Sequence, residues 1–318
     1  MSMPRWANRF RPHSAVHWMV LGTVFFAWMN IFARLASHEA HWTLVAFSRA
    51  SVGALVAYSS ARLRHATLKL RATPGMWARS VFGTCSMLAT FYVLANQSLD
   101  LGDAVTLLSL TPVFMSLFAP IFLREPSGRG LLLGVALSTL GVFFVVRPGI
   151  LFGHHASYSS AALFSACVAL FASVVSSFAM MMLRKISVSE APESVSLHFS
   201  LTASSVTLVL ALLFSRGVSL RTTLIMVLAG ACAGLAQLAM TRAYSLAPAA
   251  RVGVVGNLTV VLSALFGFLI LNDRPSPWSL VGMGFVIGAS VLVGRGAVVH
   301  ASNDHHSVPP PPVAVKGA

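Results

Sequence analysis

Arg49 stands in "AFSRAS", six residues after Thr43, inside an apolar run that continues to Ser60. A guanidinium in such surroundings offers a fork of N–H donors that suits a carboxylate or a phosphate. At 1.5 Å per helical residue it lies roughly 9 Å from one end of its run. Its long side chain therefore also reaches water by snorkelling, and a helix carbonyl is a third partner for it. Similar apolar runs hold Asn30, Tyr92, Gln237, Tyr244 and Asn257. Each amide or hydroxyl there either meets a ligand or ties two helices together, and the Tyr92 ring, beside Phe91, either stacks on a flat ligand or packs. Thr111-Pro112 adds a backbone feature. Proline lacks an N–H and crowds the preceding turn, so a carbonyl is released for a ligand, or the helix simply bends.

These residues need long apolar elements to hold them. The chain has 318 residues, 56% hydrophobic and 9% charged, with a mean hydropathy of +0.79. Soluble domains carry about 25% charge. Apolar runs of roughly 17 to 25 residues, enough to cross a bilayer core as helices, fill most of the length. Ten spans are expected, near 15–36, 42–60, 77–98, 101–123, 130–147, 159–183, 194–214, 223–244, 248–271 and 278–295. The short alternating dyads of a membrane barrel do not occur, so the expected class is an all-α membrane protein. Cys85, Cys167 and Cys232 fall within spans and suit packing rather than a metal or a disulfide. No cofactor is expected.

A net charge of +14 invites a nucleic-acid partner, but its distribution argues against one. With a cytoplasmic N-terminus, the inner side receives Arg5, Arg9, Arg11, Arg62, Arg64, Lys69, Arg71, Arg79, Arg124, Arg129, Arg184, Lys185, Arg295 and Lys316. The outer side receives Arg34, Arg147, Arg216, Arg221 and Arg274. This is the positive-inside pattern and puts both termini in the cytoplasm. Residues 1–14 read as a cytoplasmic N-terminus, 148–158 as a periplasmic linker, and 296–318, with "VPPPPVAV", as a disordered tail. Of the eight acidic residues, none occupies the centre of a span. Asp100 and Asp103 are the candidates for ion coupling, or else cap the fourth helix.

The chain repeats itself. "VFGTCSMLATFYVLANQSLDLGDAVTLL" (81–108) aligns with "LAGACAGLAQLAMTRAYSLAPAARVGVV" (228–255). There Gly83 meets Gly230, and Ser98-Leu99 meets Ser245-Leu246. "REPSGRGLLLGVALSTLGVFFVV" then aligns with "NDRPSPWSLVGMGFVIGASVLVG", Gly134 meeting Gly282. Two copies of five spans, 15–147 and 159–295, enter the membrane from opposite sides because five is odd. Inverted halves that meet at a midplane site describe many secondary transporters. In this register Asn257 lies beside the counterpart of Pro112. The counterpart of Arg49 is near Leu201, with His198 close by as a packed or titrating histidine.

"AWMNIFARLA", "FSR", "FYVLANQSLDLGDAVTLLSLTPVF" and "LREPS" resemble an EamA-type member of the drug/metabolite transporter superfamily, over roughly 15 to 295. The first half is most similar to the branch with carriers for S-adenosylmethionine and riboflavin. The resemblance implies a carrier for a small organic metabolite in the cytoplasmic membrane, working by alternating access. The second copy, "RAYSLAPAARVGVVGN", lacks the acidic residue of the first. The expected partners are that metabolite, the lipid bilayer and a second copy of the chain in a homodimer, without nucleic acid. No H-E-x-x-H or Gly-Lys phosphate loop occurs, and "GAS" at 288–290 lacks the glycine a serine protease would want, so an enzyme is not expected. A non-transporting assembly or regulatory subunit is the alternative.

Overall fold

The computed structural model describes residues 13–66, 68, 73–95, 107–125, 128–146, 160–214, 217–271 and 277–306. Asp100, Asp103, the 148–158 linker and the proline-rich tail lie outside them. Among the described residues the chain is helical, with no strand. The helices are α1 (His13–Ala36), α2 (Trp42–Leu63), α3 (Pro74–Ala95), α4 (Thr111–Phe122), α5 (Arg129–Val146) and α6 (Ser160–Ser187). They continue as α7 (Pro192–Phe214), α8 (Leu220–Leu246), α9 (Ala249–Gly256), α10 (Leu258–Leu271) and α11 (Pro277–His306). Among the described residues, six segments are long and apolar enough to cross a membrane: α1, α2, α6, α7, α8, and α9 with α10 taken together as Ala249–Ile270. Shorter apolar helices accompany them.

Helix starts follow from residues without a free N–H. Pro74, Pro192 and Pro277 each open a helix, where the missing N–H costs nothing. Ser219 caps α8, its hydroxyl accepting from the Thr222 N–H at 3.3 Å. Two departures from the sequence expectation stand out. Pro112 does not sit inside a continuous span: residues 109–110 form a turn and α4 begins at Thr111. The hydroxyl of Thr111 donates to the Leu108 carbonyl at 3.2 Å, satisfying an acceptor that Pro112 cannot serve. The helix expected to stop at Arg295 also runs on to His306, since no proline occurs between Pro277 and Pro309.

Close packing rests on small residues, as expected where lipid removes any hydrophobic drive between helices. α1 packs on α8, α3 on α6, α2 on α7 and α8, and α5 on α11, while α4 meets α6 and α9. A Cβ on Gly234 would lie 3.1 Å from the Gly53 Cα. On α5, a Cβ at Gly141 would meet Gly282 and Val286, and one at Gly134 would meet Val293 and Ala289. Large apolar side chains such as Leu212 and Ile121 point outward, 76% and 72% exposed, on the surface that lipid would cover.

Candidate functional site

Where α2, α3, α7 and α8 converge, Arg49, Gly53, Met87, Phe199, Ser200 and Gln237 line a narrow cleft with room for about one water molecule. The cleft exists because α2 and α8 touch through Gly53 and Gly234, which brings Arg49 and Gln237 onto one wall system. Arg49 lies over the Phe91 ring, its Cζ 5.8 Å from the ring centre. Among the described residues no carboxylate pairs with it. Gln237 is 6% exposed, and its Nε2 has no hydrogen-bond partner. A cation without a counter-charge and an amide without an acceptor face the same small space. Leu201, near which the repeat places the counterpart of Arg49, is 46% exposed and does not line the cleft.

A second arginine, which the charge pattern assigned to the cytoplasmic side, is buried beside this cleft. Arg79 is 1% exposed, with Nε and Nη1 unpartnered. Its Cζ lies 4.4 Å from the centre of the Phe199 ring, so Phe199 touches both the cleft and this guanidinium. Gly83 makes room, because a Cβ there would overlap the Arg79 guanidinium. One residue on, Ser80 shares a 2.7 Å hydrogen bond with His198 Nδ1, and the Trp77 ring meets His198 edge-on.

The other candidates lie elsewhere. Asn30 donates to Ser263 Oγ at 3.0 Å on an exposed face. Tyr92 meets Phe164 edge-to-face at 6.4 Å and packs near Val93 and Ala169. Asn257 interrupts the ninth span: its N–H bonds the Val254 carbonyl three residues back, and its Nδ2 donates to Ser138 Oγ at 2.8 Å. Pro112 is buried against Gly253 of α9. Tyr244, 2% exposed, directs its hydroxyl to Met115 Sδ at 3.8 Å.

Polar ties close both ends of the bundle. At one end Arg184 donates from Nε to Glu125 Oε1 at 2.9 Å, and from Nη1 to the carbonyls of Tyr244 and Ser245. Glu125 Oε2 accepts from the Ala249 N–H at 3.0 Å. Nearby, Arg242 bonds Glu193 at 2.9 Å and stacks on Trp18. At the opposite end Glu39 accepts from the Thr222 hydroxyl, the Ser219 hydroxyl and the Ser219 N–H. These bonds, the Thr222 one foremost, hold the Glu39 carboxyl below its ordinary range.

Among known proteins, the EamA-like transporter family matches twice, over residues 13–147 and 163–295. The pseudopaline exporter CntI of Pseudomonas aeruginosa (strain UCBPP-PA14) is 27% identical over 89% of this chain and 96% of its own length. The riboflavin transporter of Rhizobium johnstonii is 22% identical over 87% and 90%. Human solute carrier family 35 member G1 is 27% identical over 67% and 60%. Among the solved structures that match is a crystal structure with a TM-score of 0.75 and 16% identity, over 90% of this chain and 98% of that one, a likeness of fold alone. With apolar spans, lipid-facing flanks and two matching domains together, the chain is a multi-pass membrane protein, a transporter rather than an enzyme, and belongs to the EamA-like transporter family.

Proposed function

We propose that this chain is a secondary transporter that moves a small polar or zwitterionic organic metabolite across the cytoplasmic membrane by alternating access. The observation that carries this reading is the cleft that joins Arg49 to Gln237. Its lining comes from α2 and α3 of the first half and from α7 and α8 of the second, so relative movement of the halves would open or close it. The named activities of similar proteins, pseudopaline export and riboflavin transport, favour an amino-acid-derived or vitamin-like compound.

Two inverted halves, 15–147 and 159–295 around the 148–158 linker, with ten spans and both termini cytoplasmic, are part of the same reading. Reciprocal packing supports it. Gly134 aligns with Gly282, and Gly141 with Ala289; Gly134 lies against Ala289, and Gly141 against Gly282. Such exchanged contacts are what a twofold axis between α5 and α11 produces. Likewise α1 on α8 mirrors α6 on α3. The interruptions at Leu110 and Asn257 fall on aligned positions, and paired breaks of this kind point to a substrate path.

The ties at Glu125–Arg184 and at Glu39 then act as the closures of opposite ends, and opening to either compartment breaks one set while keeping the other. A homodimer belongs to this reading as well, tested by mass in detergent. The test of function is a labelled-metabolite panel in proteoliposomes, with and without a proton gradient. Transport that Arg49→Ala abolishes without unfolding supports it; purified protein that moves nothing and co-purifies with a fixed partner favours the assembly-subunit alternative.

A further inference from the structure

We infer that Arg49 and Arg79 are the two halves of one divided anion site, linked by Phe199, which lines the cleft with Arg49 and covers Arg79, and that the transported compound carries at least two anionic groups. The inference deepens the transport reading and rests on it.

Its basis is an imbalance of charge. Arg79 is almost wholly inaccessible, yet two of its nitrogens have no acceptor. A buried cation is stable only when paired or hydrogen-bonded. What Arg79 has instead is the face of Phe199, a weak electrostatic substitute for an anion. Arg49, which lines the same cleft as Phe199 and lies over the Phe91 ring, likewise lacks a carboxylate among the described residues. Three of the described acids are held at the ends of the bundle: Glu125 by Arg184, Glu193 by Arg242 and Glu39 by Ser219 and Thr222. Nothing described in the interior neutralises the pair.

A substrate with two carboxylates, or with a phosphoryl group and a carboxylate, would do so. One group takes the Arg49 fork, with the free Gln237 Nε2 as an added donor. The other reaches Arg79 once the Phe199 ring turns aside, which replaces a ring face by a charge-assisted pair. Gly83 matters because only its missing side chain lets the guanidinium lie there. A single carboxylate would leave the second arginine uncompensated.

The experiment uses the full-length protein in proteoliposomes with labelled succinate, citrate, glucose 6-phosphate, alanine, glycine betaine and lysine. Uptake of one or more of the first three, and none of the last three, is expected. Arg79→Met and Arg49→Met should each raise KM for that polyanion at least tenfold, and Arg79→Lys should recover part of the loss, since it restores charge without the fork. Thermal unfolding of each variant in detergent separates site from scaffold. The proposal is overturned by a folded Arg79→Met that carries the polyanion at the wild-type KM. Wild-type selectivity for alanine, betaine or lysine also overturns it, needs no variant to fold, and leaves the transport reading intact. Failure to move any of the six compounds counts against this inference, whereas the broader metabolite panel decides the transport reading separately.

Discussion

Arg184 and Glu125 meet at 2.9 Å, and the same guanidinium also holds the carbonyls of Tyr244 and Ser245. One side chain of α6 thus joins the end of α4 to the end of α8, while Glu125 reaches the first N–H of α9. Glu125→Gln removes the charge and weakens both bonds. Hydrogen bonds to charged groups contribute about 1.5–3 kcal/mol each, so Arg184→Met, which removes three, should lower unfolding stability by at least about 1.5 kcal/mol. It should also raise the reactivity of a cysteine placed at Ala247. Unaltered stability and reactivity would mean that this end is held by something else.

Gly141 tests the reciprocal packing of α5 and α11. Its added Cβ would approach the Gly282 carbonyl at 2.7 Å and the Val286 N–H at 2.8 Å, backbone atoms that cannot swing away. Gly141→Leu should destabilise by at least the 1–3 kcal/mol typical of overpacking, read from thermal unfolding in detergent. Gly128→Ala, where nothing lies within 4 Å, serves as the neutral control.

The Glu39 cap should make stability depend on pH. Its carboxyl is held below the ordinary value of 4.5 by the Thr222 and Ser219 bonds. A group whose folded pKa is depressed stabilises above its unfolded pKa and loses that contribution as pH falls through the folded one. Stability should therefore fall below about pH 4.5, and Glu39→Gln should flatten that fall. A wild type and variant with parallel pH profiles would remove the cap from the account of this end.

Gln237 separates binding from folding. Because its Nε2 lacks a partner, Gln237→Leu removes an unsatisfied buried donor and should leave stability unchanged or raise it by about 1 kcal/mol. Transport should nevertheless fall, with KM rising roughly tenfold, the value of one hydrogen bond of about 1.4 kcal/mol. Loss of stability with an unchanged KM would make the residue structural.

Much of this was legible in the chain itself. The apolar runs dictate membrane helices, and the internal repeat pairs Gly83 with Gly230 and Gly134 with Gly282. Arg49 announced itself as the one charged residue in the run from Thr43 to Ser60. Arg79 did not: it follows a basic loop, and loop charge is read as topology. Its burial depends on Phe199, brought from α7, and on space left by Gly83, neither visible in local spacing. Asn30 illustrates the opposite case, a mid-span amide that the fold pairs with Ser263, away from the cleft. The break beside Pro112 could be anticipated as a bend, yet its repair by the Thr111 hydroxyl required coordinates.

Access to the cleft from both faces of the membrane is the most direct test. With Cys85, Cys167 and Cys232 replaced by alanine, Ser200→Cys would be exposed in sealed vesicles to a membrane-impermeant thiol reagent, applied from either side in turn. Labelling from both sides, with substrate shifting the balance between them, is the predicted result. Labelling from one side alone, whatever the substrate, would contradict a chamber that opens alternately.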